Sequence, residues 1–268
     1  MSREKVVFQI KRHRGQNFLI DGNIVRKIIA AAHLTKDSVV LEVGPGKGAL
    51  TEELVAHAGR VIAVEIDKDL FAELEKEFAD IPNLTLIKDD ILSFSPTSYL
   101  LSPTSYLIVA NLPYNITSRF FRKFLESEQR PERMVVMVQK EVASRMTARP
   151  PDMSLLALSV QLFSRPRVLF PVSRNCFSPK PRVDSVVMEL LIKSECELPS
   201  TATRENLFRL ARAGFSEKRK QCAQLISKKC DLPLDRVRAA FKQIGLDPRS
   251  RAETITLEQW MELISFLA

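Results

Sequence analysis

Four consecutive residues, Asn111-Leu112-Pro113-Tyr114, have the types needed to hold an exocyclic amine and to stack on the ring that carries it. A side-chain amide oxygen and a main-chain carbonyl can accept the two N–H bonds of such an amine. A tyrosine ring can lie on the base. The tetrad follows an apolar run, Tyr106-Leu107-Ile108-Val109-Ala110, which reads as a buried strand. The carboxyl end of a parallel strand is where open α/β sheets keep their sites. Asn-x-Pro after a strand is also an ordinary turn signal, so the tetrad alone does not establish a site.

Three other strand ends carry polar chemistry. Gly44-Pro45-Gly46-Lys47-Gly48-Ala49 follows a short apolar run, Val39–Val43. Gly44 and Gly46 let a strand-to-helix turn approach a ligand closely. Read as Gly-x-Gly-x-Gly, the turn suits the carboxypropyl part of S-adenosylmethionine. Read through Ala49, it also satisfies a loose dinucleotide fingerprint. Glu65 stands 21 residues after Gly44 at the end of the next strand, where either cofactor places a carboxylate on ribose hydroxyls. Asp90 ends a third strand and can accept from an adenine amine, although such an Asp often caps its own turn. A methyl donor held by these three would direct its sulfonium toward the tetrad. A nicotinamide-dependent oxidoreductase would leave the tetrad unexplained.

An adenine amine is a poor nucleophile, because its lone pair is delocalised into the ring. Asn111 and the Leu112 carbonyl can draw that nitrogen toward tetrahedral geometry while Tyr114 stacks on the base. The proton can leave to water, so catalysis rests on positioning and electrostatics. A base inside a duplex is out of reach and must be flipped or unpaired. Phe177, beside Lys180 and Arg182 in a proline-punctuated loop, is the candidate for the second face of the base. A core anchor for that loop is the competing role.

The elements that must position these residues read as an alternation. A helix capped by Asp21 or Asn23 runs to about His33, with Ile24, Ile28 and Ala31 on one face. Strands follow at Val39–Val43, Arg60–Glu65, Leu84–Ile87 and Tyr106–Ala110, with helices after the glycine turn and before Phe78. This is the pattern of a parallel sheet covered by helices. Helices are expected over Ile116–Glu126, Lys140–Ala148 and Met153–Phe163, and strands over Arg133–Val138, Arg167–Val172 and Val186–Ile192. Ser95-Pro96-Thr97-Ser98-Tyr99-Leu100 recurs as Ser102-Pro103-Thr104-Ser105-Tyr106-Leu107, a lengthened loop to which no function is assigned. Polarity rises around Glu195–Ala202. Beyond it the patterns are helical: Arg204–Gly214, Lys218–Lys229, Leu234–Ile244 and Leu257–Leu267.

Charge points to the partner. The net is +8, and residues 201–251 hold thirteen Lys/Arg against five Asp/Glu, a local net equal to that of the whole chain. Lys11, Arg12, His13 and Arg14 form a second basic cluster. Two concentrated patches on an otherwise balanced protein suggest a polyanion. No apolar run approaches a membrane span and no secretory signal is visible at the amino end. Cys176, Cys196, Cys222 and Cys230 form no Cys-x-x-Cys pair, so neither a zinc site nor a disulfide framework is indicated. Reduced thiols in a cytosolic protein are expected.

Taken together, the chain resembles the rRNA adenine N6,N6-dimethyltransferases. These comprise the small-subunit (16S) enzymes linked to kasugamycin sensitivity and their erythromycin-resistance relatives acting on the large subunit. The matching stretches are Gln16-Asn17-Phe18-Leu19, Val40–Gly48, Val64-Glu65-Ile66-Asp67, Asp90, Asn111–Asn115 and Phe177–Ser185, in family order. The resemblance implies a Rossmann-like, seven-stranded methyltransferase sheet over 1–198 and a small all-helical, basic rRNA-binding domain over 199–268. It implies that Asn17, Leu19, Gly44, Gly46, Glu65, Asp90 and Asn111 contact S-adenosylmethionine, with no metal. Asn111, Leu112, Pro113 and Tyr114 would hold the target base, with Phe177 across it. Arg12, Arg14, Lys180, Arg182, Lys218, Arg219 and Lys220 would meet RNA.

Phe215–Lys220 and Gly245–Thr254 look like the small-subunit branch. Lys218 stands where that branch has Arg, Cys222 where it has Leu and Gln224 where it has Asn, and a lysine offers no bidentate fork. The implied reaction is dimethylation of two adjacent adenosines in the 3′-terminal hairpin loop of small-subunit rRNA. Its setting would be a pre-ribosomal 30S particle in the cytoplasm, and the enzyme a monomer. The large-subunit resistance methylase and an assembly factor that only binds rRNA are the rival readings.

Overall fold

The computed structural model describes residues 17–96 and 105–267. Arg12, Arg14 and most of the duplicated Ser-Pro-Thr-Ser-Tyr-Leu segment lie outside the described residues.

The parallel strands are rich in β-branched and apolar residues, and the inner ones are buried on both faces, as a helix-covered sheet requires. They are β2 (Val39–Val43), β3 (Arg60–Glu65), β4 (Leu84–Lys88), β5 (Leu107–Asn111) and β6 (Arg133–Gln139). Two more strands, β7 (Ser164–Val172) and β9 (Ser185–Ile192), complete a seven-stranded sheet in the order β4-β3-β2-β5-β6-β9-β7. The first five run parallel, and β9 is antiparallel to both β6 and β7. β7 carries Pro166 and Pro171, which an edge strand tolerates because one side makes no ladder.

Helices α1 (Gly22–Ala32), α2 (Ala49–His57) and α3 (Lys68–Glu77) belong to the amino half. After β5 come α4 (Thr117–Leu125), α5 (Lys140–Met146) and α6 (Leu155–Phe163). Asp21 caps α1 through its side chain, which accepts the Asn23 N–H. The buried face of α1 is Val25, Ile28, Ile29 and Ala32; it shares Ile28 with the expected face, whose Ile24 and Ala31 lie at its margin.

Alternation along the strands splits the core in two. Val40, Val61, Val109, Val135 and Met137 face α1 and α2. Leu41, Ile62, Ile108, Met134 and Val136 face the other way, toward the aromatic helix α4, where Phe120, Phe121 and Phe124 are buried. The second core continues into α7 (Thr201–Gly214), α8 (Cys222–Cys230), α9 (Leu234–Gln243) and α10 (Leu257–Leu267). Phe163 of α6 stacks on Phe208 of α7 with ring centroids 6.1 Å apart, and the Met153 N–H donates to the Glu253 carbonyl at 3.0 Å.

Two local features differ from expectation. Lys218, Arg219 and Lys220 are not helical; they form an exposed turn between α7 and α8. The Lys220 N–H closes that turn on the Glu217 carbonyl, and the Cys222 N–H docks on the Ser250 carbonyl, so α8 starts only at Cys222. The second feature is a two-stranded ribbon, β1 (Phe18–Leu19) with β8 (Phe177–Ser178), paired antiparallel across more than 150 residues of sequence. It buries the Phe177 ring, 4% exposed, in the core beside Leu19, Val25 and Ile28.

That burial predicts a cost. Phe177→Ala should lower unfolding free energy by about 3–5 kcal/mol, measured by chemical denaturation. A loss below about 1 kcal/mol would show that the ring does not anchor the ribbon.

Candidate active site

Strand order reverses between β2 and β5. From β2 the chain moves outward through β3 and β4, then returns to lay β5 on the other side of β2. Leu41 pairs with Ile108 and Glu42 with Val109, so the carboxyl ends of the two strands lie side by side. The glycine turn leaves the first and Asn111–Tyr114 the second. A Cβ on Gly44 would stand 3.8 Å from the Pro113 ring. The two stretches thus share one crevice, where a doubly wound sheet places its ligands.

That crevice opens into a cavity of about 920 Å³. Asn17, Leu19, Gly44, Gly46, Glu65, Asp90, Asn111, Leu112, Pro113 and Tyr114 all line it, as do Lys180 and Arg182. Phe177 is not among the lining residues. The ribbon that buries it instead brings Asn17, Phe18 and Leu19 to the cavity wall. Lys218–Lys220 also lie away from it.

Each wall has an identifiable support. Gly46 has φ +60°, where a side chain is strained, and a Cβ there would press on the Phe18 ring at 3.1 Å, so glycine eases the close approach of turn and ribbon. The Gly46 N–H donates to Glu65 Oε2 at 3.2 Å and the Asp67 N–H to Oε1 at 2.8 Å. These bonds hold the Glu65 carboxyl at the cavity edge. Burial pushes its pKa up, opposed by the two N–H groups. Asp90 Oδ1 caps its own turn by accepting the Leu92 N–H at 2.9 Å, which leaves Oδ2 available to a ligand.

The tetrad is held as firmly. Asn111 Nδ2 donates to the Asn17 carbonyl at 3.3 Å, which turns the amide so that Oδ1 remains an acceptor. The Leu112 N–H donates to the Met137 carbonyl at 3.1 Å and fixes the next peptide. Thr117 Oγ1 bonds the Pro113 and Tyr114 carbonyls at 3.2 and 3.3 Å. The Tyr114 hydroxyl is 2.9 Å from Ser185 Oγ, a fully buried group at the start of β9. Ser185 has no chemical signature in the sequence, because its role exists only once β9 returns beside β6.

Glu42 also escaped sequence reasoning. It sits 1% exposed in β2, lines the cavity and accepts Thr51 Oγ1 at 2.7 Å. Burial raises its pKa to about 8, and the neighbouring Glu65 adds to the rise against the Thr51 bond. An acid between apolar residues immediately before a glycine turn was the available signal. Arg119 is the second omission; it joins Lys180 and Arg182 as an exposed cation on the lining. The cavity therefore has an acidic interior (Glu42, Glu65, Asp90) and a basic rim.

Comparison with known proteins agrees with this layout. The sequence profile of the ribosomal RNA adenine dimethylase family matches residues 7–268. The chain belongs to that family. Among its relatives, a ribosomal RNA small subunit methyltransferase A of Dehalococcoides mccartyi (strain CBDB1) is 42% identical over 260 residues, covering 97% of this chain and 89% of the relative. The namesake from Moorella thermoacetica is 39% identical, covering 94% and 91%. A dimethyladenosine transferase from Plasmodium falciparum superposes with a TM-score of 0.77 at 26% identity, covering 92% of this chain and 95% of that one. The 23S rRNA methyltransferase ErmE superposes at 0.74 with 29% identity, covering 94% and 99%. The ribosomal RNA adenine dimethylase fold is thus shared along nearly the whole chain, and the cavity lies where its sheet reverses.

The Glu42 carboxyl yields a prediction with a definite sign. It titrates near 4.5 when unfolded and at about 8 in the fold, so between those values the folded state holds a proton that the unfolded state has released. Stability from this group falls as pH rises through that window and is level above it. Glu42→Gln should abolish this component, giving a flatter melting-temperature profile than the parent between pH 5 and 8. Parallel profiles would show that Glu42 is ionised in the fold.

Proposed function

We propose that this protein transfers methyl groups from S-adenosylmethionine to N6 of two adjacent adenosines in the 3′-terminal hairpin loop of small-subunit rRNA. The product is N6,N6-dimethyladenosine, made during ribosome biogenesis. The observation that carries this reading is the β2–β5 register, which sets an amine-holding tetrad against a donor-binding glycine turn.

The residues present fit such a donor. The turn at Gly44–Gly46 offers a close backbone approach, Glu65 a carboxylate for ribose hydroxyls and Asp90 a free oxygen for the adenine amine. When bound, S-adenosylmethionine supplies an electrophilic methyl on a sulfonium. Asn111 Oδ1 and the Leu112 carbonyl accept the two N–H bonds of the target amine and localise its lone pair. Tyr114, locked by Ser185, supports the face of the flipped base. No side chain need act as a strong base, since the amine becomes acidic once methylated and its proton leaves to water. Preorganised acceptors and orientation do the work.

RNA as the bearer of the adenine is supported by the basic rim and by the exposed Lys218–Lys220 turn. The names of the relatives favour the small subunit over the 23S target of ErmE. We extend the reading to a cytoplasmic monomer acting on a pre-ribosomal 30S particle. In it residues 199–268 serve as an RNA-binding unit and Phe177 stiffens the ribbon behind the donor site.

The test is transfer of labelled methyl groups to undermethylated small subunits and, separately, to large-subunit rRNA, with the labelled base mapped. Label on paired adenosines near the small-subunit 3′ end is expected. Label confined to large-subunit rRNA would assign the resistance chemistry instead, and no label would leave binding alone. Asn111→Ala should lower turnover by about 100-fold or more with an unchanged melting temperature. Near-parental turnover would sink the role given to Asn111.

A further inference from the structure

A second cavity, about 260 Å³, lies where α4, α5 and α6 meet α7. Its walls carry four guanidinium groups from three helices: Arg119 and Arg122 on α4, Arg145 on α5 and Arg212 on α7. One acid, Glu126, faces them, with Oε2 3.9 Å from Arg122 Nε. Arg212 lies over the Phe208 ring, 5.6 Å from its centroid, and Phe208 with Leu155 and Leu156 makes an apolar floor. Ser159 also lines it. That residue is 8% exposed, and its Oγ is closed to solvent with no hydrogen-bond partner among the described residues.

We propose that this cavity holds one nucleotide of the RNA strand flanking the flipped adenosine, its phosphate on the arginines and its sugar against Leu155 and Leu156. The inference rests on the RNA-methylating reading of the main site. Three considerations converge. Arg119 lines both cavities, so a strand leaving the catalytic mouth across α4 runs directly into the second one. Guanidinium groups match phosphate oxygens bidentately, and four against one carboxylate leave a surplus that a phosphodiester neutralises. The volume is below that of ordinary cofactor pockets, about 300–1,000 Å³, and suits a single nucleotide.

This is a positioning site: it holds the strand so that the neighbouring base stays in the catalytic crevice. It also explains why α7, the first helix of the carboxyl segment, carries Arg212 on the side facing α4.

The experiment uses the full chain and a hairpin RNA of the small-subunit 3′ end. A neutral methylphosphonate is walked through the linkages around the target adenosines, and binding is read by fluorescence anisotropy. In the parent, one flanking linkage should weaken binding by about 5–10-fold when neutralised. In Arg145→Ala/Arg212→Ala that same substitution should cost less than about 2-fold, the non-additivity expected of directly interacting groups. Affinity for the methyl donor should be unchanged in both. Equal losses at every linkage in parent and double variant would overturn the assignment. Because the readout is binding, failure here is distinguishable from failure of the methylation reading, which would show as no label on adenosine with the parent protein.

Discussion

The site depends on one constraint, the parallel pairing of β2 with β5 at the point where strand order reverses. Neither strand carries the chemistry alone. β2 delivers a glycine turn that any adenosine-containing cofactor could use. β5 delivers an amide, a carbonyl and a ring that could equally form a turn. Their register sets Gly44 so that even a Cβ there would touch the Pro113 ring, and only then do the two stretches describe a donor and an acceptor in one crevice. The remaining contacts maintain that arrangement: Asn17 holds the Asn111 amide, Met137 holds the Leu112 peptide, and Ser185 holds the Tyr114 hydroxyl.

Electrostatics divides the cavity between two ligands of opposite character. Glu42, Glu65 and Asp90 lie inward, and burial raises the proton affinity of the first two. Such a pocket favours a cationic ligand, whose charge would in turn favour ionised carboxylates. Arg119, Lys180 and Arg182 lie outward, exposed and suited to a phosphate backbone. Under the proposed function, this gradient would set a sulfonium donor inside and a polyanionic acceptor outside. The arginine-lined cavity beside α4 extends the outer, basic half of this division along the strand.

Much of this was legible in the sequence, for definable reasons. Strand β3 and helix α10 have the expected bounds because their apolar periodicity is unbroken and their ends are marked by polar residues. The donor-side residues and the tetrad line one cavity as expected, since each is a strand-end residue and strand ends converge in a doubly wound sheet. What was not legible is long-range. The β1–β8 ribbon joins two-residue strands too short to carry a period, so the sequence left Phe177 between a stacking ring and a core anchor, and the fold makes it the anchor. Lys218–Lys220 looked helical because local propensity is silent about Cys222 docking on Ser250. Ser185 matters through what folds around it, and residue type alone gave no reason to choose it, whereas Glu42 stood out as an acid in an apolar run just before a glycine turn.

The central claim is geometric: an adenine amine sits between Asn111 Oδ1 and the Leu112 carbonyl, beside the donor turn at Gly44. A crystal structure of the protein with S-adenosylhomocysteine and adenosine monophosphate measures it directly. The account predicts N6 within about 3.2 Å of both oxygens, with the base on Tyr114 and the donor sulfur facing the amine. An adenine bound elsewhere, or seated with its amine away from Asn111, would contradict it.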